Sequence, residues 1–251
     1  MTRLADMAWP EVAALAVAGA VLVVPIGATE QHGPHLPVST DGDIAVAVVE
    51  AAAALDPLLV VAPLVAYGSS GEHDGFAGTL SIGQEATEHL LTELGRSAVT
   101  TFGQVVFACA HGGNAAPLRR ALDRLAAEGR PVTGWWPGWG GDLHAGRTET
   151  SVMLALDPDR VRRREAVPGD TRPLDVLLPL LQEGGVRSVS PNGVLGDPSG
   201  AGGIEGRDLV TAAAGDLAAT VTSLRLGADA GGDRPGGDTT VGNGTTDGVR
   251  T

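Results

Sequence analysis

Glu30 and His32 are separated by one residue in the stretch GATEQHGPHLPVSTD (residues 27–41), which Asp41 closes. In extended chain, side chains two residues apart point the same way, so a carboxylate and an imidazole are presented together. Carboxylates with neutral imidazoles and no thiolate form the donor set of Zn, Fe(II) or Mn sites. An aspartate has two oxygens and can bridge two cations about 3.5–4 Å apart, the spacing of two-metal hydrolytic centres. A lone E-x-H also describes a solvated loop with one ion pair. The full run EQHGPHLP with T-D shortly after it is far more specific.

Three further constellations join this one. His111 opens HGGN directly after an apolar run. Gly112 and Gly113 let backbone approach a ligand, and Asn114 is expected to cap the helix that follows. The alternative for His111 is a capping role of its own. His144 and Glu149 lie in HAGRTETS. Glu149 reads as a further metal ligand, or as a helix-start charge that the dipole favours. His144 reads as a proton shuttle, since its ordinary pKa lies near neutrality, or as a plain loop residue. Glu72, His73 and Asp74 form a charged trio flanked by glycines, either pocket lining or solvated loop. Ser69 and His73 are expected to contact substrate, as are Trp136 and Trp139, whose rings form an aromatic wall or else pack on a neighbouring subunit. His35 is expected to be a structural hydrogen bonder and Cys109 an inert core residue.

Elements that alternate between strand and helix must position these residues. Apolar runs at 21–26, 58–62, 104–108 and 131–135 predict strands. Segments 43–55, 84–100 and 115–128 predict the helices between them, with less regular helical segments at 150–156 and 171–183 and a final helix at 208–226. Strands without polar alternation imply a parallel sheet covered on both faces, a three-layer α/β/α sandwich. Ligands of such sheets gather beyond the carboxyl ends of the strands. The four segments following the four predicted strands hold five of the six histidines, with His89 alone in a helix.

The 251 residues suffice for one large domain, assigned to 1–226, while the Gly/Asp/Thr-rich 227–251 predicts a disordered tail. The first few residues are expected to be loosely held. A net charge of −13 repels phosphate backbones and anionic lipid, which excludes nucleic acid and membrane as main partners. One cysteine rules out an intrachain disulfide. No apolar run reaches transmembrane length and no signal-peptide layout opens the chain, so a cytoplasmic protein is expected.

The motifs PIGATEQHGPHLPVSTD, YGSSGEHDGFAGTLSIG, HGGN after its strand and HAGRTETSVML together resemble the creatininase family of metal-dependent amidohydrolases, over about residues 21–226. Within it the chain looks most like the peptidase branch of the mycofactocin system, which HAGRTETS and GVLGDPSGA suggest. The resemblance implies a centre of two divalent cations, Fe(II) and/or Zn with Mn possible, held by Glu30, His32, Asp41 and His111, with Asp41 as bridge. It also implies a homo-oligomer. Creatininase places a carboxylate two residues after the position of His111; here Gly113 stands there, and Glu149 is the expected replacement. Ala77, where many relatives have proline, is a second departure. The implied substrate is a modified ribosomal precursor peptide, cut at its C-terminus to release a product derived from valine and tyrosine. The alternative is an amidase acting on a small cyclic amide or formamide.

Overall fold

Val, Leu and Ile in unbroken runs bury both faces of a strand, and the sheet is built from such runs. The computed structural model describes residues 1–230. Five strands, β1 (Thr2–Arg3), β2 (Val21–Ile26), β3 (Leu59–Val61), β4 (Val105–Cys109) and β5 (Val132–Trp135), form one sheet in the order β1-β3-β2-β4-β5. All four pairings are parallel. Every residue of β2, β3 and β4 is buried.

Side-chain alternation divides the core into two layers. Val21, Val23, Val106 and Ala108 face α2 (Thr40–Ala53) and α7 (Gly203–Ala230), meeting Val48, Val49, Leu217 and Val221. Leu22, Val24, Ile26 and Phe107 face α3 (Gly83–Ala98) and α4 (Ala115–Ala127), meeting Leu91, Leu118 and Leu125. Each fully buried Leu or Phe contributes about 1.5–3 kcal/mol of hydrophobic stabilisation. Helix α1 (Trp9–Val17) adds Val12 and Leu15 to that second layer, and α5 (Arg147–Leu156) packs beside α7. The three-layer α/β/α sandwich with a parallel sheet is therefore the fold.

Several boundaries differ from those the sequence suggests. The amino terminus is tied down, because Thr2 and Arg3 pair with Val60 and Val61 and α1 follows directly. Helix α2 begins at Thr40, which puts Asp41 in a helical first turn instead of a loop. Likewise α5 starts at Arg147 and takes in Glu149. Helix α6 (Leu174–Val189) is broken at Gly185, where φ is 66°. Helix α7 runs on to Ala230, past the expected end of the domain at 226; the remainder of the expected tail, 231–251, lies outside the described residues. No helix among the described residues is long and apolar enough to cross a membrane.

Candidate metal centre

The connections after β2, β3, β4 and β5 meet at the carboxyl rim of the sheet. The first brings Glu30, Gln31 and His32, the second Ser69, Glu72 and His73, the third His111 and Asn114, and the fourth His144. Asp41 and Glu149 come from the first turns of α2 and α5, where the helix dipole favours negative charge. Close approach of α2 to the first loop depends on glycine: a Cβ at Gly27 would lie 2.5 Å from the Gly42 backbone nitrogen. Asn114 does not cap α4 with its side chain. Its amide instead accepts from the Ser69 N–H (2.9 Å) and donates to the Gly27 carbonyl (2.9 Å), tying three rim loops together.

Asp41 spans two imidazoles. Its Oδ1 lies 3.1 Å from His32 Nε2 and its Oδ2 3.3 Å from His111 Nδ1. Glu30 is fully buried, with Oε1 3.2 Å from His73 Nε2 and Oε2 3.2 Å from His111 Nε2. Glu149 stands 3.9 Å from His32 Nε2, and His144 Nδ1 3.7 Å from Glu30 Oε1. Two of the imidazoles are oriented from behind: His32 Nδ1 donates to the Glu30 carbonyl (3.2 Å) and His144 Nε2 to the Gln31 carbonyl (2.8 Å). His111 Nε2 lies 2.8 Å from the Ser69 carbonyl and also faces Glu30, and its proton would have to leave before a cation could sit beside that nitrogen. The Glu149 carboxylate accepts the N–H of Ala145 (2.6 Å), a buried residue held at φ 53° next to His144.

Gln31 is a member of this site that residue-type reasoning passes over. Its side-chain amide donates to His73 Nδ1 (2.8 Å) and to the Gly193 carbonyl (2.9 Å), and accepts the Gly33 N–H (2.8 Å). A His73 that accepts at Nδ1 carries its proton on Nε2, facing Glu30. No sequence signal distinguishes this glutamine from an ordinary loop amide.

The charges are strongly coupled. Burial raises the Glu30 carboxyl to about 8, against the opposing pull of His111. Burial would lower His32, but Asp41, Glu149 and Glu30 outweigh it and push it up to about 10. His111 is likewise pushed up to about 10, where Glu30, Asp41 and Glu72 overcome burial. Burial would raise Asp41, yet His32 and His111 hold it well below the carboxylate range. Burial, reinforced by His32, keeps His144 well below its ordinary value and takes His73 down to about 3, so both are neutral.

Whether these residues fit a cation is testable on their own geometry. Both Glu30 carboxylate oxygens and Asp41 Oδ2 are buried without a hydrogen-bond partner of acceptable geometry. Buried carboxylate oxygens are costly unless something positive satisfies them. The groups Glu30–His32–Asp41, His32–His144–Glu149 and Glu30–Glu72–His111 each bring their donor atoms within 4.8 Å of one another. The set therefore fits divalent cations, with oxygen and nitrogen donors throughout.

The centre opens into a cavity of about 990 Å³ lined by Ser69, His73 and His144 on one side and by Leu174, Leu178 and Leu181 of α6 on the other. Neither Trp136 nor Trp139 lines it. Trp139 packs into the core and Trp136 is partly exposed beside Gly134, so the apolar wall comes from leucines of α6 instead of tryptophans. His35 donates or accepts with Thr150 Oγ1 (2.9 Å) and Cys109 is a buried thiol pushed up to about 12 by burial; both are structural, as expected. Glu149 belongs with His32, whereas the space beside Gly113 is taken by Glu72.

Parallel strands, helices on both faces and a buried carboxylate–imidazole cluster at one rim define the class: a three-layer α/β amidohydrolase. The creatininase family model, described as creatinine amidohydrolase, matches residues 5–221, and the chain belongs to the creatininase family. It is 46% identical over 222 residues to a "Mycofactocin precursor peptide peptidase" of Mycobacterium ulcerans, covering 83% of this chain and 87% of the relative. A protein of the same description from Mycolicibacterium smegmatis is 50% identical over 193 residues, covering 74% and 78%. A solved creatinine amidohydrolase superposes with TM-score 0.76 at 24% identity, covering 88% of this chain and 97% of that one. The structure described as "Creatininase Mn" gives TM-score 0.75 at 22% identity, covering 88% and 98%.

Proposed function

We propose that this protein is a cation-dependent peptidase that hydrolyses an amide bond at the modified C-terminus of a ribosomal precursor peptide, releasing a Val-Tyr-derived product. The observation that carries the hydrolytic part is Glu30: a fully buried carboxylate without hydrogen-bond partners, encircled by imidazoles and facing a cavity. The peptide substrate is supported by the two mycobacterial relatives and their printed description. Leu174, Leu178 and Leu181 offer the apolar surface that a tyrosine-derived ring requires.

Glu30, His32, Asp41, His111 and Glu149 would hold two divalent cations, and the two oxygens of Asp41 face His32 and His111. Bound there, the cations supply a water of lowered pKa and polarise the scissile carbonyl. His144, neutral and with Nδ1 bare, takes the proton from the attacking water and returns it to the leaving nitrogen. Its Nε2–H stays on the Gln31 carbonyl throughout, which fixes the tautomer. His73 Nε2 stands 3.2 Å from Glu30 Oε1, and Gly112 and Gly113 line the cavity wall beside His111. Fe(II) or Zn, with Mn as a further option, a homo-oligomer and a cytoplasmic setting belong to the same reading. Two solved creatininases described as "Creatininase Mn" and as of "Zn-Zn type" support Mn and Zn.

The test is metal analysis with a mass-spectrometric assay on the modified peptide, run beside a panel of cyclic amides and formamides. Wild type should release the dipeptide-derived product and leave the panel untouched. Asp41→Ala should lose metal and turnover together, while His144→Ala should keep metal and lose at least about 10²-fold in turnover. Turnover of a cyclic amide but not the peptide would overturn the substrate. Full metal and full activity in Asp41→Ala would overturn the ligand set.

A further inference from the structure

We infer that Glu72 supplies the carboxylate ligand on the His111 side of the centre, entering from a different loop into the space that Gly113 leaves open. The inference rests on the metal-centre reading above and adds a ligand to it. Glu72 Oε1 lies 3.7 Å from His111 Nε2, and Glu30 Oε2 lies 3.2 Å from the same nitrogen. The donor atoms of Glu30, Glu72 and His111 all fall within 4.8 Å of one another. Glu30 is fully buried with both oxygens unpartnered, so the cluster has an unmet demand for positive charge at this spot.

Gly113 explains why the carboxylate arrives from elsewhere. A Cβ at position 113 would lie 2.1 Å from Glu72 Oε1, 2.4 Å from the Ser69 carbonyl and 2.5 Å from His111 Nε2. A side chain at 113 and the Glu72 carboxylate therefore exclude one another. Among the described residues, the imidazole of His111 is the one cationic group within 4.0 Å of Glu72. No arginine holds the carboxylate there, which leaves His111 and whatever sits beside it.

The turn that carries Glu72 is itself fixed. Gly71–His73 forms a 3-10 turn whose His73 is buried against Glu30. The break in α6 lies against it, with Gly185 so close that a Cβ there would sit 2.8 Å from the Glu72 carbonyl oxygen. Arg187 of the same helix donates to the Gly75 carbonyl. A residue on a free surface loop would have no such support. Two carboxylates, Glu72 beside His111 and Glu149 beside His32, then serve opposite ends of the centre.

The experiment uses the full chain and Mn(II) as probe. Binding is followed by chelator competition and by Mn(II) electron paramagnetic resonance, for wild type, Asp41→Ala, Glu72→Gln, Glu72→Ala and Glu149→Gln. Circular dichroism and thermal unfolding without added metal check each fold. Wild type should bind two equivalents. Glu72→Gln and Glu72→Ala should weaken one equivalent by roughly 10- to 100-fold or more, a range that even indirect partners of a ligand produce. The second equivalent should persist and the spin-coupled signal should vanish. Glu149→Gln should weaken the other equivalent. Two equivalents at wild-type affinity in both Glu72 variants, with Asp41→Ala losing them, would overturn this inference and leave the centre intact. A folded wild type that binds no Mn(II), Fe(II) or Zn would overturn both.

Discussion

Replacing Gln31 by leucine keeps nearly the same volume and removes one amide that serves three partners. The Gly33 N–H, the Gly193 carbonyl and His73 Nδ1 each lose a hydrogen bond of 2.8–2.9 Å. Gln31 is buried, so water does not readily replace it. A buried partner left unpaired costs about 1–3 kcal/mol. Taking the low end for each, because the Gly33 bond is only partly buried, gives a destabilisation of about 3 kcal/mol. For a chain of this size that corresponds to a fall in Tm of roughly 6–12 °C. Urea unfolding and calorimetry, with cation concentration held constant, would measure it. A second readout separates this network from generic packing. Without the amide, the His73 proton is free to move from Nε2 to Nδ1, which turns a bare nitrogen toward Glu30 Oε1 at 3.2 Å. Turnover should therefore fall by about tenfold to a hundredfold, as small misplacements at a reacting centre do. A Gln31→Leu protein within 0.5 kcal/mol of wild type and fully active would refute the assignment of this amide as an organiser of the site.

Other outcomes follow from the same geometry. Without cation, His32 and His111 are raised from 6.5 to about 10 and Glu30 from 4.5 to about 8, so above about pH 6.5 the fold binds more protons than the unfolded chain. Stability of the metal-free protein should then fall as pH rises from about 6.5 to 10, whereas below 6.5 the buried neutral imidazoles of His35, His73 and His144, held below their ordinary value, oppose Glu30 and make stability rise with pH. Cation affinity should move the other way, gaining about tenfold per pH unit for each proton displaced, as chelator competition at pH 6.5 and 8 would show. A flat affinity profile would contradict it. Leu178→Asp, on the α6 side of the cavity wall, should raise KM for the modified peptide and leave metal content unchanged, as steady-state kinetics and elemental analysis would reveal. Leu125→Ala, in the fully buried layer between α4 and the sheet, should cost about 2–5 kcal/mol by chemical denaturation without shifting the metal stoichiometry.

Much of the fold is legible because parallel strands are simple in sequence. Val21–Ile26 and Val105–Cys109 carry no polar alternation, and the helices between them have clear apolar stripes. The two-residue β1 is too short to give a pattern, and its pairing with β3 is a long-range event that no local window contains. At the site, Glu30, His32, Asp41 and His111 stand out because imidazoles and carboxylates crowd motifs with unusual glycine content. Gln31 and Glu72 do not. An amide between two ligands looks like spacing, and a charged trio flanked by glycines looks like solvated loop. What recruits both is tertiary: the Gly193 turn that receives the Gln31 amide, and the missing side chain at Gly113 that admits the Glu72 carboxylate. The tryptophans mislead for the opposite reason. Their type suggests a ligand wall, but Trp139 is spent on the core, and the wall is made by α6, an apolar helix whose destination the sequence does not reveal.

Donors on four separate connections, from Glu30 to Glu149, have a consequence for the life of the molecule. No short stretch of chain contains the set, so a cation cannot nucleate this fold as it does a zinc finger. It acts late, as a clasp closed over a sheet that is already assembled. At a thousandfold excess over Kd such a clasp adds about 4 kcal/mol to the native state. Chelation should accordingly loosen the rim before the strands, making 67–79 and 136–146 the first stretches a protease can cut. Under the proposed ligand set, metal supply would set the lifetime of the protein as well as its activity.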